Sequence, residues 1–277
     1  MMRRKSRLYR ILAAAILLPG AVVILFPLYW MVAASLEHLD QIVRFPPQLI
    51  PNPLDFGSYP KGITFMPFMH YFLNTTEIAV LSTLGAISSA SLVGFAFARL
   101  HSPTKNFFFV LVLATMMLPA SVLLIPQFVL FKTLGWVNTY LPLIVPAFFG
   151  GSAFLIFLFR QFFASIPDEV FDAARMDGCG YLRLYWSMAR PLAVPAFTAA
   201  AVFHFQFSWN DFLAPLIYIN SNSKYTLALG LANFRSEYGA TPWNQLMAVS
   251  LVVSLVPITI FFFAQNYLLS GIVVSSR

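Results

Sequence analysis

Residues 70–98 read HYFLNTTEIAVLSTLGAISSASLVGFAFA, 29 residues with one acid, Glu77, and no lysine or arginine. A helix rises about 1.5 Å per residue and a bilayer core is about 30 Å thick, so about 20 such residues suffice to cross it. The apolar character is continuous, whereas the strands of a membrane barrel alternate over about ten residues, so the reading is helix. Five further runs of this kind occupy residues 11–35, 106–131, 141–162, 192–219 and 243–268. The sequence therefore predicts an all-α polytopic membrane protein with six transmembrane helices.

Composition agrees. Of 277 residues, 59% are apolar and 10% charged, and the mean hydropathy is +0.77. A soluble domain carries about 25% charged residues, so a soluble enzyme, a disordered chain and a coiled coil are excluded. The single cysteine, Cys179, rules out an internal disulfide framework, and no cysteine and histidine cluster has zinc-ligand spacing. The net charge of +7 does not indicate nucleic acid, because the basic residues sit at the ends of apolar runs and form no dense patch.

Those basic residues give the orientation instead. Arg3, Arg4, Lys5, Arg7 and Arg10 precede the first run, which is longer than a signal-peptide core and reads as an uncleaved anchor. With six crossings, twelve of the 17 basic residues fall on one side; Arg44, Lys61, Lys132, Lys224 and Arg235 fall on the other. The positive-inside rule then places both termini in the cytoplasm. Trp30, Trp136, Tyr140 and Trp243 lie near the outer ends of the runs, where ring systems favour the interface. Residues 36–69 contain six prolines, too many for helix, and predict an extended external loop that is ordered or partner-bound. The expected division is residues 1–69, an anchor helix and external loop, and residues 70–277, a core made of the remaining five runs.

Within the second run, Ser82, Ala86, Ala90, Gly94 and Ala98 form a small-residue stripe beside Gly85 and Ser89, which lets helix backbones approach closely in lipid. In an isolated subunit this seam is expected to lack its match. Pro119 and Pro126 each remove a backbone donor and should bend the third run. Glu77 and Asp211 are the acids placed within helices. Glu77 lies near the outer headgroups, solvated or paired. Asp211 belongs to the cluster Ser208-Trp209-Asn210-Asp211-Phe212. The polar groups of Asn74, Asn210 and Asp211 beside the Trp209 ring suit a hydroxyl-rich ligand, and equally suit hydrogen bonds between helices. As neighbours about 100° apart on a helix, Asn210 and Asp211 should face different surroundings. No G-x-x-x-x-G-K-[ST] loop is present, and His38, His70, His101 and His204 are scattered, so the chain reads as a non-enzyme without cofactor or metal.

Between the fourth and fifth runs, residues 166–178 read IPDEVFDAARMDG, followed after a helical stretch by Arg190-Pro191. This segment, about residues 163–191, resembles the EAA loop of permease subunits of ATP-binding-cassette importers. Asp172, Ala173, Ala174, Gly178 and Pro191 match the family pattern; Asp172 stands for the usual glutamate, Met188 for isoleucine and Arg190 for leucine. Asp168 and Glu169 sit at the start of a short helix after Pro167, favourable against its dipole, and Gly178 can end it. A second short helix over residues 181–188 would complete a helix-turn-helix, and Ala173 and Ala174 would let it fit closely into a groove. Further matches, among them residues 94–100 (GFAFARL), 134–140 (LGWVNTY) and 208–216 (SWNDFLAPL), resemble the MalG-type branch for oligosaccharides and related sugars from about Asn74 onward.

The resemblance implies one permease subunit of an importer in a prokaryotic cell membrane. Its implied partners are a second, MalF-like permease, two cytoplasmic ATPase subunits and an external solute-binding protein. It implies ATPase coupling through Asp172, Ala173, Ala174, Asp177, Gly178 and Pro191. A competing reading is an ion-coupled secondary transporter using Glu77 or Asp211, which would predict an internal repeat that the sequence does not show.

Overall fold

The computed structural model describes residues 2–234 and 241–274; of the basic residues counted for topology, Arg235 and Arg277 lie outside the described residues. Among the described residues there are helices and no strands. Four helical segments are long and apolar enough to cross a membrane: Leu12–Ser35, Phe68–Arg99, Leu141–Ser165 and Trp243–Gln265. Two bent pairs, Lys105–Thr115 with Ala120–Thr133 and Tyr181–Leu192 with Val194–Trp209, bring the number to six if each pair is one span.

Packing divides the chain into two units. The first comprises Met1–Phe68 and Leu231–Leu255, the second Met69–Gly230 and Val256–Arg277. The division expected at residue 69 therefore omits a piece, since Leu231–Leu255 packs with the first unit.

In the first unit, helix α1 (Met2–Ser35) carries Pro19 and Pro27. The proline-rich segment over residues 36–69 is not simply extended: it holds α2 (Leu39–Ile42) and α3 (Ser58–Phe65). Pro60 falls in the first turn of α3, where the missing N–H costs no intrahelical bond. The segment is ordered by its own contacts. His38 meets Asp55 at 3.1 Å, Ser35 Oγ meets the Tyr59 hydroxyl at 3.0 Å, and Gln41 Nε2 donates to the Asn52 carbonyl at 2.9 Å.

In the second unit, α4 (Phe68–Arg99) is the axis. The third run breaks between α5 (Lys105–Thr115) and α6 (Ala120–Thr133) with a 96° turn. Pro119 caps α6 in extended conformation, whereas Pro126 lies inside α6. The fourth run is also interrupted: α7 (Leu141–Ile144) and a 3-10 turn (Val145–Phe148) precede Gly150 (φ +101°) and Gly151 (φ +63°), then α8 (Ala153–Ser165). At Gly151 a Cβ would lie 2.9 Å from the Ala86 Cα and carbonyl, so only glycine admits this contact. The segment after α8 holds α9 (Asp168–Met176), α10 (Tyr181–Leu184), a π turn (Tyr185–Ala189) and α11 (Arg190–Leu192). Next come α12 (Val194–Trp209), α13 (Leu213–Tyr218), a 3-10 turn (Asn222–Lys224), α14 (Leu227–Ala232) and α15 (Trp243–Val274).

The small-residue seam is matched inside the chain, contrary to the expectation of an unfilled surface. Ala86 and Ala90 are fully buried in one cluster with Leu155, Ile156 and Phe159 of α8 and with Ala193, Ala196 and Ala200. Ser89 Oγ donates to the Ala147 carbonyl at 2.8 Å. Short side chains on both sides bring the helices close enough for dispersion contacts and such hydrogen bonds to hold them.

Candidate functional site: a coupling element and a polar cavity

Helix α9 is amphipathic. Phe171 and Ala174 are buried within this chain, whereas Asp172, Ala173, Met176 and Asp177 are exposed. Only one of the two alanines is therefore free to enter a partner's groove; Ala174 serves the chain's own core. The helix ends in a Schellman closure, with Gly178 N–H donating to the Arg175 carbonyl at 2.9 Å and Cys179 N–H to the Ala174 carbonyl at 3.0 Å. Gly178 takes φ +80° there. Tyr181, Leu182 and Trp186 add exposed apolar surface beside Met176, which is 89% exposed. Pro191 is exposed in α11, one turn before the 79° bend into α12.

One side chain missed from the sequence fixes this element. Arg99, at the end of α4, is 7% exposed. Its Nε donates to the Phe163 carbonyl at 3.0 Å, its Nη2 to the Ile166 carbonyl and its Nη1 to Asp168, and the guanidinium lies 4.2 Å from the Phe171 ring centre. The last carbonyls of α8 lack the bonds that a continuing helix would supply; that of Phe163 accepts only a long bond from the Ile166 N–H at 3.4 Å besides Arg99, and a cation there also complements the helix dipole. Arg175 donates back to the Arg99 carbonyl at 3.5 Å and pairs with Asp172 at 3.2 Å. One guanidinium thus joins α4, α8 and α9. Its sequence signal is the terminal arginine of GFAFAR, read above as a topological charge and as part of a family match but not as a residue of this element.

The second feature is a cavity of about 330 Å³ in the second unit. Its walls include Thr75, Ser82, His204, Ser208, Asp211 and Tyr218 among apolar neighbours. Ser82 Oγ donates to Ser208 Oγ at 3.1 Å, and Thr83 Oγ1 meets His204 Nδ1 at 3.3 Å, so α4 and α12 are cross-linked at the wall. Asp211 Oδ1 accepts from Ala214 N–H at 3.2 Å.

The expected pathway residues separate. Helix α12 ends at Trp209, so Asn210 and Asp211 lie in the break before α13, not inside a helix. Asp211 lines the cavity, while Asn210 is exposed and donates to the Gln206 carbonyl at 2.8 Å. Trp209 is 2% exposed between Phe72 and Phe205. Asn74 is a tether: its Nδ2 donates to the carbonyls of Ser223 and Tyr225, each at 3.0 Å. Glu77 is exposed. Asn138, at φ +62°, secures the stretch just before Ser223. Its Oδ1 accepts from the N–H groups of Asn220 and Ser221, and its own N–H donates to the Tyr218 carbonyl at 2.7 Å. Among the described residues no group of three or more His, Cys, Asp or Glu could hold a metal ion.

Residues 90–273 match the family described as binding-protein-dependent transport system inner membrane component. The chain belongs to this family. It is a multi-pass permease subunit of an ATP-binding-cassette importer. The chain is 34% identical over 269 residues to the sn-glycerol-3-phosphate transport system permease protein UgpE of Yersinia pestis bv. Antiqua (strain Antiqua), covering 94% of this chain and 95% of that protein. It is 32% identical over 273 residues to the arabinooligosaccharides transport system permease protein AraQ of Bacillus subtilis (strain 168), covering 96% and 95%. The similarity thus reaches well before Asn74, where the sequence motifs began. A chain of a bacterial transporter involved in the import of the acidic polysaccharide alginate shares the fold, with a TM-score of 0.81, 22% identity and coverage of 95% and 98%. The ion-coupled alternative through Glu77 or Asp211 falls with family membership.

Proposed function

We propose that this permease forms half of the pathway for a sugar, oligosaccharide or related polyol, with a MalF-like permease supplying the other half. Two cytoplasmic ATPase subunits dock on the coupling element and carry the hydrolytic activity, and an external solute-binding protein delivers the substrate. The name of one relative, an arabinooligosaccharides transport system permease, supports this substrate range. The observation that carries the coupling role is the exposed face of Ala173, Met176, Leu182 and Trp186, held on a rigid base by Arg99. An amphipathic element of this kind is a peptide-in-groove ligand, and motion of the groove reaches α4 and α8 through Arg99. Asp172, Asp177 and Gly178 lie on the exposed side and contact the ATPase in this reading, with Pro191 marking the hinge to α12. Asp211 is the pathway residue of its cluster, while Asn74, Trp209 and Asn210 support its surroundings.

Gly178→Leu tests the coupling. A left-handed backbone costs a non-glycine residue about 1–2 kcal/mol, and nothing lies within 4 Å of a Cβ at this site, so the penalty falls on the turn and not on core packing. Complex yield should persist while uptake per ATP hydrolysed falls about fivefold or more. Gly178→Asn, which tolerates the conformation, should retain most of the coupling. Wild-type uptake and ATPase in Gly178→Leu would refute the role.

Both termini and Cys179 are cytoplasmic in this account, and residues 36–69 are external, following the distribution of basic residues. A membrane-impermeant maleimide should leave Cys179 unlabelled in intact cells and label it after permeabilisation. Labelling in intact cells would invert the topology.

A further inference from the structure

We propose that the cavity is a binding site for a neutral, hydroxyl-rich solute, and that it disfavours phosphorylated and uronic-acid ligands. This rests on the importer reading and narrows its substrate class. The volume, about 330 Å³, is in the lower part of the range typical of small-molecule sites, and the mixture of mostly apolar wall with a few convergent polar groups is the usual composition. The polar groups are Thr75, Ser82, His204, Ser208, Asp211 and Tyr218, together with Gln127 and Thr226.

Tyr218 is the independent sign of a ligand. It is 3% exposed, and its hydroxyl has no hydrogen-bond partner among the described residues. A buried hydroxyl without a partner costs about 1–3 kcal/mol, and the Asn138 bond to its carbonyl holds this residue's backbone in place. A ligand hydroxyl supplies the missing partner.

Charge selects the class. The lining includes the acid Asp211 and neither lysine nor arginine. A phosphate or carboxylate taken out of water needs cationic or bidentate partners, and here it would meet a carboxylate. Sugar hydroxyls, by contrast, can donate to Asp211 and accept from Tyr218, and the apolar wall suits the C–H face of a ring.

The test uses the complete complex in proteoliposomes with ATP inside and the binding protein outside. The probes are radiolabelled maltotriose and arabinotriose as neutral solutes, and glycerol 3-phosphate and trigalacturonate as anionic ones. Import of a neutral probe and exclusion of both anionic probes is expected. Tyr218→Phe removes only an unpartnered hydroxyl, so assembly should be intact while the initial uptake rate falls about fivefold, the loss of one hydrogen bond. Asp211→Asn keeps the shape and the acceptor for Ala214 N–H, and should slow neutral uptake likewise. Import of either anionic probe, or neutral import unchanged in both variants, overturns the proposal. Neutral uptake that continues without ATP strikes the importer reading itself, so the two failures are distinguishable.

Discussion

Arg99→Ala is expected to cause the largest loss of assembled, coupled complex of any single polar substitution in the chain. The side chain donates to the carbonyls of Phe163 and Ile166; that of Phe163 keeps the Ile166 N–H at 3.4 Å, whereas that of Ile166 loses its donor, and an acceptor left without one costs about 1–3 kcal/mol. The stacking on Phe171 adds about 1 kcal/mol or more in a desolvated position. The pair with Asp168 contributes less, since that carboxylate is 84% exposed. A loss of several kcal/mol is a large fraction of the 5–15 kcal/mol that typically holds a folded protein together. Arg99→Lys should rescue only part, because an ammonium cannot span two carbonyls and a carboxylate in a fixed plane. The measurements are yield by fluorescence-detected size exclusion and the ratio of uptake to ATP hydrolysis. Arg99→Ala indistinguishable from wild type in both would remove Arg99 as the link.

Gly94→Leu should abolish assembly. A Cβ at Gly94 would lie 2.6 Å from the Phe159 Cβ, 2.9 Å from the Arg160 nitrogen and 3.1 Å from the Ile156 carbonyl oxygen. Two of these are backbone atoms, which cannot rotate away, so α4 and α8 must separate and the cluster around Phe159 must open. Overpacking of this kind costs about 1–3 kcal/mol for small insertions and more for a whole side chain. Gly94→Ala should therefore already reduce thermal stability. Gly20→Ala is the control, because nothing lies within 4 Å of its Cβ. Equal yields of Gly94→Leu and wild type would contradict the close packing.

The sequence reading succeeded where one physical quantity dominates. Continuous apolarity over twenty or more residues locates the membrane segments whatever their internal geometry. The same apolarity conceals interruptions: the break at Gly150 and Gly151 falls in a run as apolar as its neighbours, and its signal is a contact with Ala86 that only folding creates. Pro119 did mark the break between α5 and α6, because a missing donor is a local property. The two short helices after Pro167 and the turn at Gly178 were legible in the order of residues 166–191, yet the burial of Ala174 was not, since a motif does not say which face turns inward. Asp211 stood out as an acid in an apolar run. Ser82, His204 and Tyr218 did not, because hydroxyls and a lone histidine in a helix are ordinary until α4 and α12 are brought together.

The central claim is that the exposed face of α9 is seated on an ATPase subunit. A photo-cross-linking residue introduced at Met176, in the full complex in native membranes, tests it without knowledge of the substrate. The account predicts ultraviolet-dependent capture of the ATPase subunit from position 176 and none from position 174, whose side chain is buried against the permease's own core. Absence of ATPase capture from position 176 in an assembled complex, or equal capture from both positions, would contradict it.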